Sequence, residues 1–356
     1  MSNEKEDPIK HRLFADVPSS DRFFDSLREA YPGFDDWYLG KAASGERAWF
    51  AFDDAGSVIA MLYLKPEDGQ DTDIEPVITG KRLKIGTFKV DFDHHTSIGK
   101  RLLARALRKF AVGRYEYAYV TMFDADNTKA LRGMLQQYGF SPIGVKGEEE
   151  VWAKHRPDSA NSNGYQTFPF IAPDAGSSYI LSILPEYHKR MFGDVDLHSE
   201  KAIPVPDSIS VNTIEKVYLS AARNAANIKP GDHLAIYRTS DRTAQARYRS
   251  VISSICTATG VRHIATFSNE DEFRTFIKGR SVFSDDELHL FWTSKKYPWV
   301  ISMLFDFPLQ YYPIRKRLIE ENIIAESQRI VCEPIDDLML RSILKLGEVD
   351  EGYVID

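Results

Sequence analysis

KIGTFKVDFDHHTSIGKRLLARALRKF, residues Lys84 to Phe110, is the stretch from which the rest of the chain can be read. From Lys84 to Phe92 the residues Ile85, Thr87 and Lys89 alternate with Gly86, Phe88 and Val90, the two-residue period of a β-strand. A polar turn follows at Asp93-His94-His95-Thr96-Ser97. Ile98, Leu102, Leu103, Ala106, Leu107 and Phe110 then recur at helical spacing, with Lys100, Arg101, Arg105, Arg108 and Lys109 between them. A strand, a tight polar turn and an amphipathic helix gather unpaired backbone N–H groups where the helix dipole also favours negative charge. That setting suits a pyrophosphate. Between Lys81 and Arg114 ten basic residues stand against Asp91 and Asp93, a local reversal of sign in a chain of net charge −7. A phosphate-rich ligand needs such a reversal, although a solvated helix face reads the same way.

Outward from this stretch, Phe23, Phe24, Leu27 and Tyr31 mark one face of a helix over Asp21–Tyr31, stopped by Pro32-Gly33. A second helix is expected around Trp37–Ala42. Arg47–Phe52 and Ser57–Leu64 then form a hairpin across Asp53-Asp54-Ala55-Gly56. On the other side, Tyr115–Phe123 reads as a strand, and Asp126-Asn127 caps a helix carrying Ala130, Leu131, Met134 and Leu135 that closes at Tyr138-Gly139-Phe140. Glu148–Lys154 reads as a closing strand, and the polar run Pro157–Tyr165 as a boundary.

At 356 residues two domains are expected, at roughly 150 residues each. The 43% hydrophobic and 27% charged content is that of a globular protein. Cys256 and Cys332 are too few for a disulfide framework or a cysteine-based zinc site, which points to a reducing, cytoplasmic setting. MSNEKEDPIKHR has no apolar signal core, and the longest apolar stretch, Trp299–Ile314, is broken by Asp306, Pro308, Gln310 and Pro313, so no membrane span is expected. Adjacent His94 and His95 diverge and have no third ligand at helical spacing, so no metal site is expected.

Val90 to Leu103 resembles the acyl-CoA-binding segment of GNAT acetyltransferases, in which a strand enters an Arg/Gln-x-x-Gly-x-Gly/Ala turn and then a helix. His94-His95-Thr96-Ser97-Ile98-Gly99 fills the six positions, with His94 in place of the Arg or Gln and Ser97 in place of the first glycine. The strand at Tyr115–Phe123, with its Asn127-capped helix ending in Gly139-Phe140, resembles the family's second mark. The resemblance implies an α/β fold, a GNAT mixed sheet with helices on both faces, in which that strand splays from the Lys84–Phe92 strand and opens a V-shaped gap for the pantetheine arm. It implies acetyl-CoA as cofactor, held by Phe88, Val90, His94, His95, Thr96, Ser97, Ile98, Gly99, Lys100 and Asn127. The tyrosine that family members place about four residues before the Gly-Phe is replaced by Met134 and Leu135, and Tyr138 stands about a turn farther along. Candidates for acid–base work are Asp91, Asp93, His95 and Tyr138, with His94 and Glu75 as further possible bases.

The domains expected are 1–156, a connector 157–206 and 207–356. In the second half the readings are helices at Tyr179–Met191, Asn212–Ala226, Asp271–Lys278, Arg315–Glu320 and Ile335–Leu346. Strands are expected at His233–Arg238, Tyr248–Cys256, Val261–Ala265 and Glu287–Thr293. The Lys229-Pro230-Gly231-Asp232 turn before Ile236-Tyr237, with Ser250-Val251 and Phe307-Pro308, resembles PUA-like barrels of the ASCH and EVE type. That resemblance implies a second α+β barrel domain binding RNA through Tyr237, Arg238, Arg247 and Arg249, arginine for phosphate and tyrosine for stacking. Together these readings describe an acetyl-CoA-dependent N-acetyltransferase acting on an RNA-associated amine, such as aminoacyl-tRNA or a ribosomal protein. Two alternatives stay open, an acyl-CoA-sensing nucleic-acid-binding protein without catalysis and a small-molecule amine acetyltransferase.

Overall fold

The computed structural model describes residues 7–91, 97–159, 163–193, 214–241 and 245–355, and the chain divides into two compact units, Met1–Arg156 and Pro157–Asp356. In the first unit the strands are β1 (Ile9–Leu13), β2 (Arg47–Phe52), β3 (Val58–Glu67), β4 (Arg82–Val90), β5 (Tyr117–Phe123), β6 (Ser141–Lys146) and β7 (Glu149–His155). They form one sheet in the order β1-β2-β3-β4-β5-β7-β6, antiparallel everywhere except between β4 and β5. The helices are α1 (Asp25–Ala30), α2 (Phe34–Ala43), α3 (Ser97–Val112) and α4 (Lys129–Gln137).

Alternation along β4 sorts these helices onto opposite faces. Thr87 pairs with Tyr63 and Lys89 with Met61, and both partners belong to the aromatic cluster of Phe14, Phe23, Phe24, Phe34 and Tyr38 that seats α1 and α2. Val90 faces the other way, where Gly99 of α3 packs against it. The β2–β3 hairpin turns where expected: Asp53 Oδ1 accepts from the N–H groups of Ala55 and Ser57 at 2.9 and 2.8 Å, and Gly56 takes φ +82°. Strands β1 and β6 were not expected from the sequence.

In the second unit the strands are β8 (Ser178–Ile183), β9 (Glu215–Ser220), β10 (His233–Arg238), β11 (Val251–His263), β12 (Trp299–Pro308) and β13 (Cys332–Ile335). Its helical elements are α5 (Gly164–Thr167), α6 (Pro185–Met191), α7 (Ala246–Arg249), α8 (Glu270–Ile277), α9 (Asp285–Ser294), α10 (Arg315–Glu320) and α11 (Asp337–Leu346). The sheet order is β13-β8-β10-β11-β12-β9, with β8 and β10 parallel. One face buries Leu181, Ile236, Cys256 and Phe305 against Met191 of α6 and the following Phe192. The other buries Ile180, Ile255 and Phe307 against α10 and α11 through Leu318, Leu340 and Ile343. Val217, Leu219 and Val300 are covered by α8 and α9.

Several expectations for this half need correction. Among the described residues the sheet is open, with β13 and β9 at its edges, and no closed barrel is formed. The helix expected over Asn212–Ala226 is β9 followed by a short 3-10 turn: Lys216 and Tyr218 are buried on one side of the strand and Val217 and Leu219 on the other. Burial on both faces removes the polar alternation that would have signalled a strand. The strand expected at Glu287–Thr293 is α9, whose Ser284 and Glu287 form a capping box and whose Leu288 and Phe291 turn inward. The strands expected at Tyr248–Cys256 and Val261–Ala265 are one strand, β11, preceded by α7. The helix expected over Tyr179–Met191 is β8 followed by α6, so the span 157–206, expected as a connector, supplies an inner strand.

Candidate active site at the fork between two strands

β4 and β5 are hydrogen-bonded in parallel over four rungs only, Arg82↔Tyr117, Leu83↔Ala118, Lys84↔Tyr119 and Ile85↔Val120. β4 continues to Val90 and β5 to Phe123, so past Ile85 the strands part. The cause is local. Tyr63 pairs with Thr87 and Leu64 with Ile85, which makes Gly86 an extra residue, a bulge that bends the strand. A Cβ on Gly86 would lie 2.9 Å from Cδ1 and 3.2 Å from Cε1 of Tyr63, so the bulge needs a glycine at this close approach. Gly86 is exposed, and Thr87 through Asp91 are half-buried. Among the described residues, the backbone groups along this half of β4 that face β5 have no strand partner.

α3 follows a few residues later. Gly99 is buried at its start, and a Cβ there would be 3.5 Å from Val90 Cγ2 and 4.0 Å from Met134 Sδ, ordinary contacts. Ser97, Ile98 and Lys100 are half-buried beside it, in the first turn of α3, whose N–H groups find no partner inside the helix. Phe88 and Val90 lie on the same side, while Asn127 is exposed in the 3-10 turn before α4. The expectations placed on Asp93, His94, His95 and Thr96 lie outside the described residues. Asp91 is half-buried, and its N–H donates to the Ile59 carbonyl. Glu75 is exposed, and its backbone bridges to Val145. Tyr138 is fully buried at the end of α4, where its carbonyl accepts from Lys154 Nζ at 2.8 Å.

Much of the basic run is used inside the unit. Arg101 and Arg105 hold Asp7 at 2.6 and 3.0 Å, and Arg101 is buried. Lys89 bonds to the Phe23 carbonyl and to Ser26 Oγ. Lys81 donates to the Gly113 carbonyl at 2.7 Å. Lys109 lies over the Trp49 ring. Fewer of these cations are therefore available to a ligand than the count suggested.

A second group was not foreseen. On the α1–α2 face, beside the last rungs, Tyr119 donates to Glu67 Oε2 at 2.6 Å, and Glu67 also meets Lys65 at 3.0 Å and Arg82 at 3.3 Å. Lys84 extends over the Tyr119 ring, its Nζ 5.6 Å from the centroid. Burial alone would raise the Glu67 carboxyl, but the Tyr119 and Lys65 hydrogen bonds and the Lys84 charge hold it below the usual range. Burial and the Glu67 hydrogen bond raise Tyr119, and burial lowers Lys84. The signal was present as alternation, Tyr63, Lys65 and Glu67 on β3 and Arg82 and Lys84 on β4, but without the register nothing joined the two strands.

Of the four residues expected to meet RNA, Tyr237 and Arg238 are buried, and Arg238 donates to the Arg249 carbonyl at 3.1 Å. Arg247 pairs with Glu326, and Arg249 holds Asp241 through both nitrogens at 2.6 Å. Among the described residues no group of three or more His, Cys, Asp or Glu side chains could hold a metal ion, and no helix is long and apolar enough to cross a membrane.

The chain matches no family model, and no curated protein matches it. Among solved structures it is similar to a GNAT-family acetyltransferase from Staphylococcus aureus Mu50, at 14% identity and TM-score 0.30, over 41% of this chain and 98% of that one. It is similar to the PaiA N-acetyltransferase of Thermoplasma acidophilum in complex with coenzyme A, at 16% identity and TM-score 0.28, over 41% and 98%. A GNAT-family acetyltransferase from Elizabethkingia anophelis with acetyl-CoA bound gives 17% identity and TM-score 0.28, over 42% and 99%. At these scores the functional reading rests on the geometry of the fork.

Proposed function

We propose that the first unit is an acetyl-CoA-dependent N-acyltransferase. The observation that carries this reading is the fork: β4 leaves β5 at Gly86 and runs on with one edge open, directly before the helix whose first turn meets Val90 through Gly99. An extended ligand arm bearing amides takes the place of the missing strand, and an anionic end meets the N–H groups of α3. In this reading Ser97, Ile98, Gly99 and Lys100 hold the phosphates, with Phe88 and Val90 along the arm. Acetyl-CoA, when bound, supplies an activated acyl group on a thiolate of low basicity.

The protein's own part is then positional. Past the bulge at Gly86 the backbone N–H groups of β4 left without a β5 partner are the groups that can polarise a carbonyl. An amine attacks only when uncharged, so its proton passes to a base or to water; Asp91, half-buried just past the end of β4, is a candidate for this role. Glu67 is a poor base because its partners hold its carboxyl low, and its role is to fix Tyr119. Tyr138 is enclosed at the end of α4, and a thiolate with a pKa of about 8.5 leaves without a strong acid.

The narrower reading, an amine carried on RNA, finds less support, because Tyr237 and Arg238 are inside the second unit and Arg247 and Arg249 are ion-paired. The test of the activity is release of free CoA thiol from acetyl-CoA on addition of a panel of primary amines. Amine-dependent release with a matching acetylated product supports the reading. Acetyl-CoA binding with no release in any panel favours a sensor.

A further inference from the structure

Resting on the acyltransferase reading, the arrangement around Lys84 bears on what the acceptor is. Lys84 pairs with Tyr119 on the last rung but one before the strands part, two residues from the Gly86 bulge. It lies on the face that carries Tyr63, Lys65 and Glu67, opposite the face where Gly99 meets Val90. The two sides of the fork are therefore chemically distinct, with helix N–H groups on one and a cluster of charges on the other.

That cluster is unbalanced. Lys65, Arg82 and Lys84 surround one carboxylate, Glu67. Glu67 is already shared by Lys65, Arg82 and the Tyr119 hydroxyl. The nearby Asp71 is matched by Lys146 at 3.5 Å, which also reaches Asp73 at 3.3 Å. Among the described residues Lys84 has neither an ion pair nor a hydrogen bond, only the Tyr119 ring beneath its ammonium group. An ammonium taken partly out of water with no contact ion pair, and only the shared Glu67 carboxylate acting on it from a distance, is costly, and the cost falls when a ligand supplies an anion of its own. Lys65 remains half exposed, so the cluster is open to solvent on one side.

We propose that Lys84 anchors an anionic group on the acceptor, so that the amine acetylated at this fork belongs to a small molecule that also carries a carboxylate or a phosphate. Glu67 keeps Tyr119 in place beneath the ammonium, and Arg82 is occupied by Glu67 and the Gly69 and Gly80 carbonyls, which leaves Lys84 as the group that meets the ligand. A neutral amine gains nothing from this side of the fork.

The test is titration calorimetry of the full chain saturated with CoA, using ethanolamine, O-phosphoethanolamine and β-alanine as probes, with wild type, Lys84→Met and Lys84→Arg. The expected result is at least tenfold tighter binding of one or both anionic amines than of ethanolamine, lost in Lys84→Met and kept in Lys84→Arg. The better of the two anions identifies the acceptor's charged group. Equal affinity for all three probes, no binding of any, or an equal loss for all three in Lys84→Met would overturn the anchor. Failure of CoA itself to bind overturns the acyltransferase reading instead, and the anchor with it.

Discussion

Tyr119 and Glu67, fifty-two positions apart in sequence, share one short hydrogen bond of 2.6 Å on the rungs just before β4 and β5 separate. Tyr119 is fully buried and Glu67 nearly so, and together they floor the charged side of the fork. The bond joins β5 to the end of β3 across β4.

Tyr119→Phe should therefore lower stability by about 1.5–3 kcal/mol at neutral pH, the range for a hydrogen bond to a charged acceptor. The Glu67 carboxyl lies below its ordinary value of 4.5, so its contribution is present above that value and is lost as pH falls through the lower folded value. Urea unfolding at pH 7 and pH 3 checks this. The difference between variant and wild type should shrink at the lower pH.

Gly86→Ala places a methyl group against the edge of the Tyr63 ring, whose atoms are 2.9 and 3.2 Å from the ideal Cβ. A loss of about 1–3 kcal/mol is expected from overpacking, together with a fall in the rate of CoA release. Unfolding curves and initial rates on the same preparation separate the two effects.

Gly99→Ala should behave in the opposite way. Its Cβ would meet only ordinary contacts, at 3.5 Å from Val90 and 4.0 Å from Met134, so about 0.5–1 kcal/mol of added stability is expected from lower backbone entropy in the unfolded chain. Acetyl-CoA affinity should be retained. A melting temperature below wild type would show that the start of α3 does not tolerate the methyl group.

Lys154 is buried on β7, with its ammonium on the Tyr138 carbonyl, and burial lowers its pKa to about 7. Its ordinary value is 10.5. Between these values the unfolded chain binds the proton and the folded chain does not, so stability rises with pH from 7 toward 10.5, by at most about 1.4 kcal/mol per pH unit. Below pH 7 both states are charged and this term is constant. Denaturation midpoints at pH 6, 7.5 and 9 should rise in wild type and rise less in Lys154→Met.

In the second unit Asp232 closes the Lys229–Asp232 turn, accepting from the N–H groups of Lys229 at 2.7 Å and Ser177 at 2.9 Å while buried. Asp232→Ala leaves both donors without this partner and should cost about 2–3 kcal/mol. Asp232→Asn, which keeps one acceptor oxygen, should cost less.

What the sequence made legible follows from where each segment is buried. The Lys84–Phe110 stretch is amphipathic on one side of a helix and next to one face of a strand, so its two periods stand out, and its strand and helix are found where they were read. β9 and β12 are covered on both faces, and there the alternation vanishes. For α9 the Ser284–Glu287 capping box was a helix signal that apolar alternation around Leu288 and Leu290 obscured. The fork itself was expected, but its cause, the Gly86 bulge, depends on a register between β3 and β4 that only the folded chain fixes. Lys84, Glu67 and Tyr119 were missed for the same reason, since they meet through strand pairing and not through spacing.

The central claim is that the open edge of β4 and the first turn of α3 form one site for acetyl-CoA. Titration calorimetry of acetyl-CoA into wild type and Gly99→Trp tests it most directly, since Gly99 is buried between Val90 and Met134 at that junction. The account predicts one saturable site in wild type and none in Gly99→Trp, with cooperative unfolding preserved in the variant. Equal binding by a folded Gly99→Trp, or no binding by wild type, would contradict it.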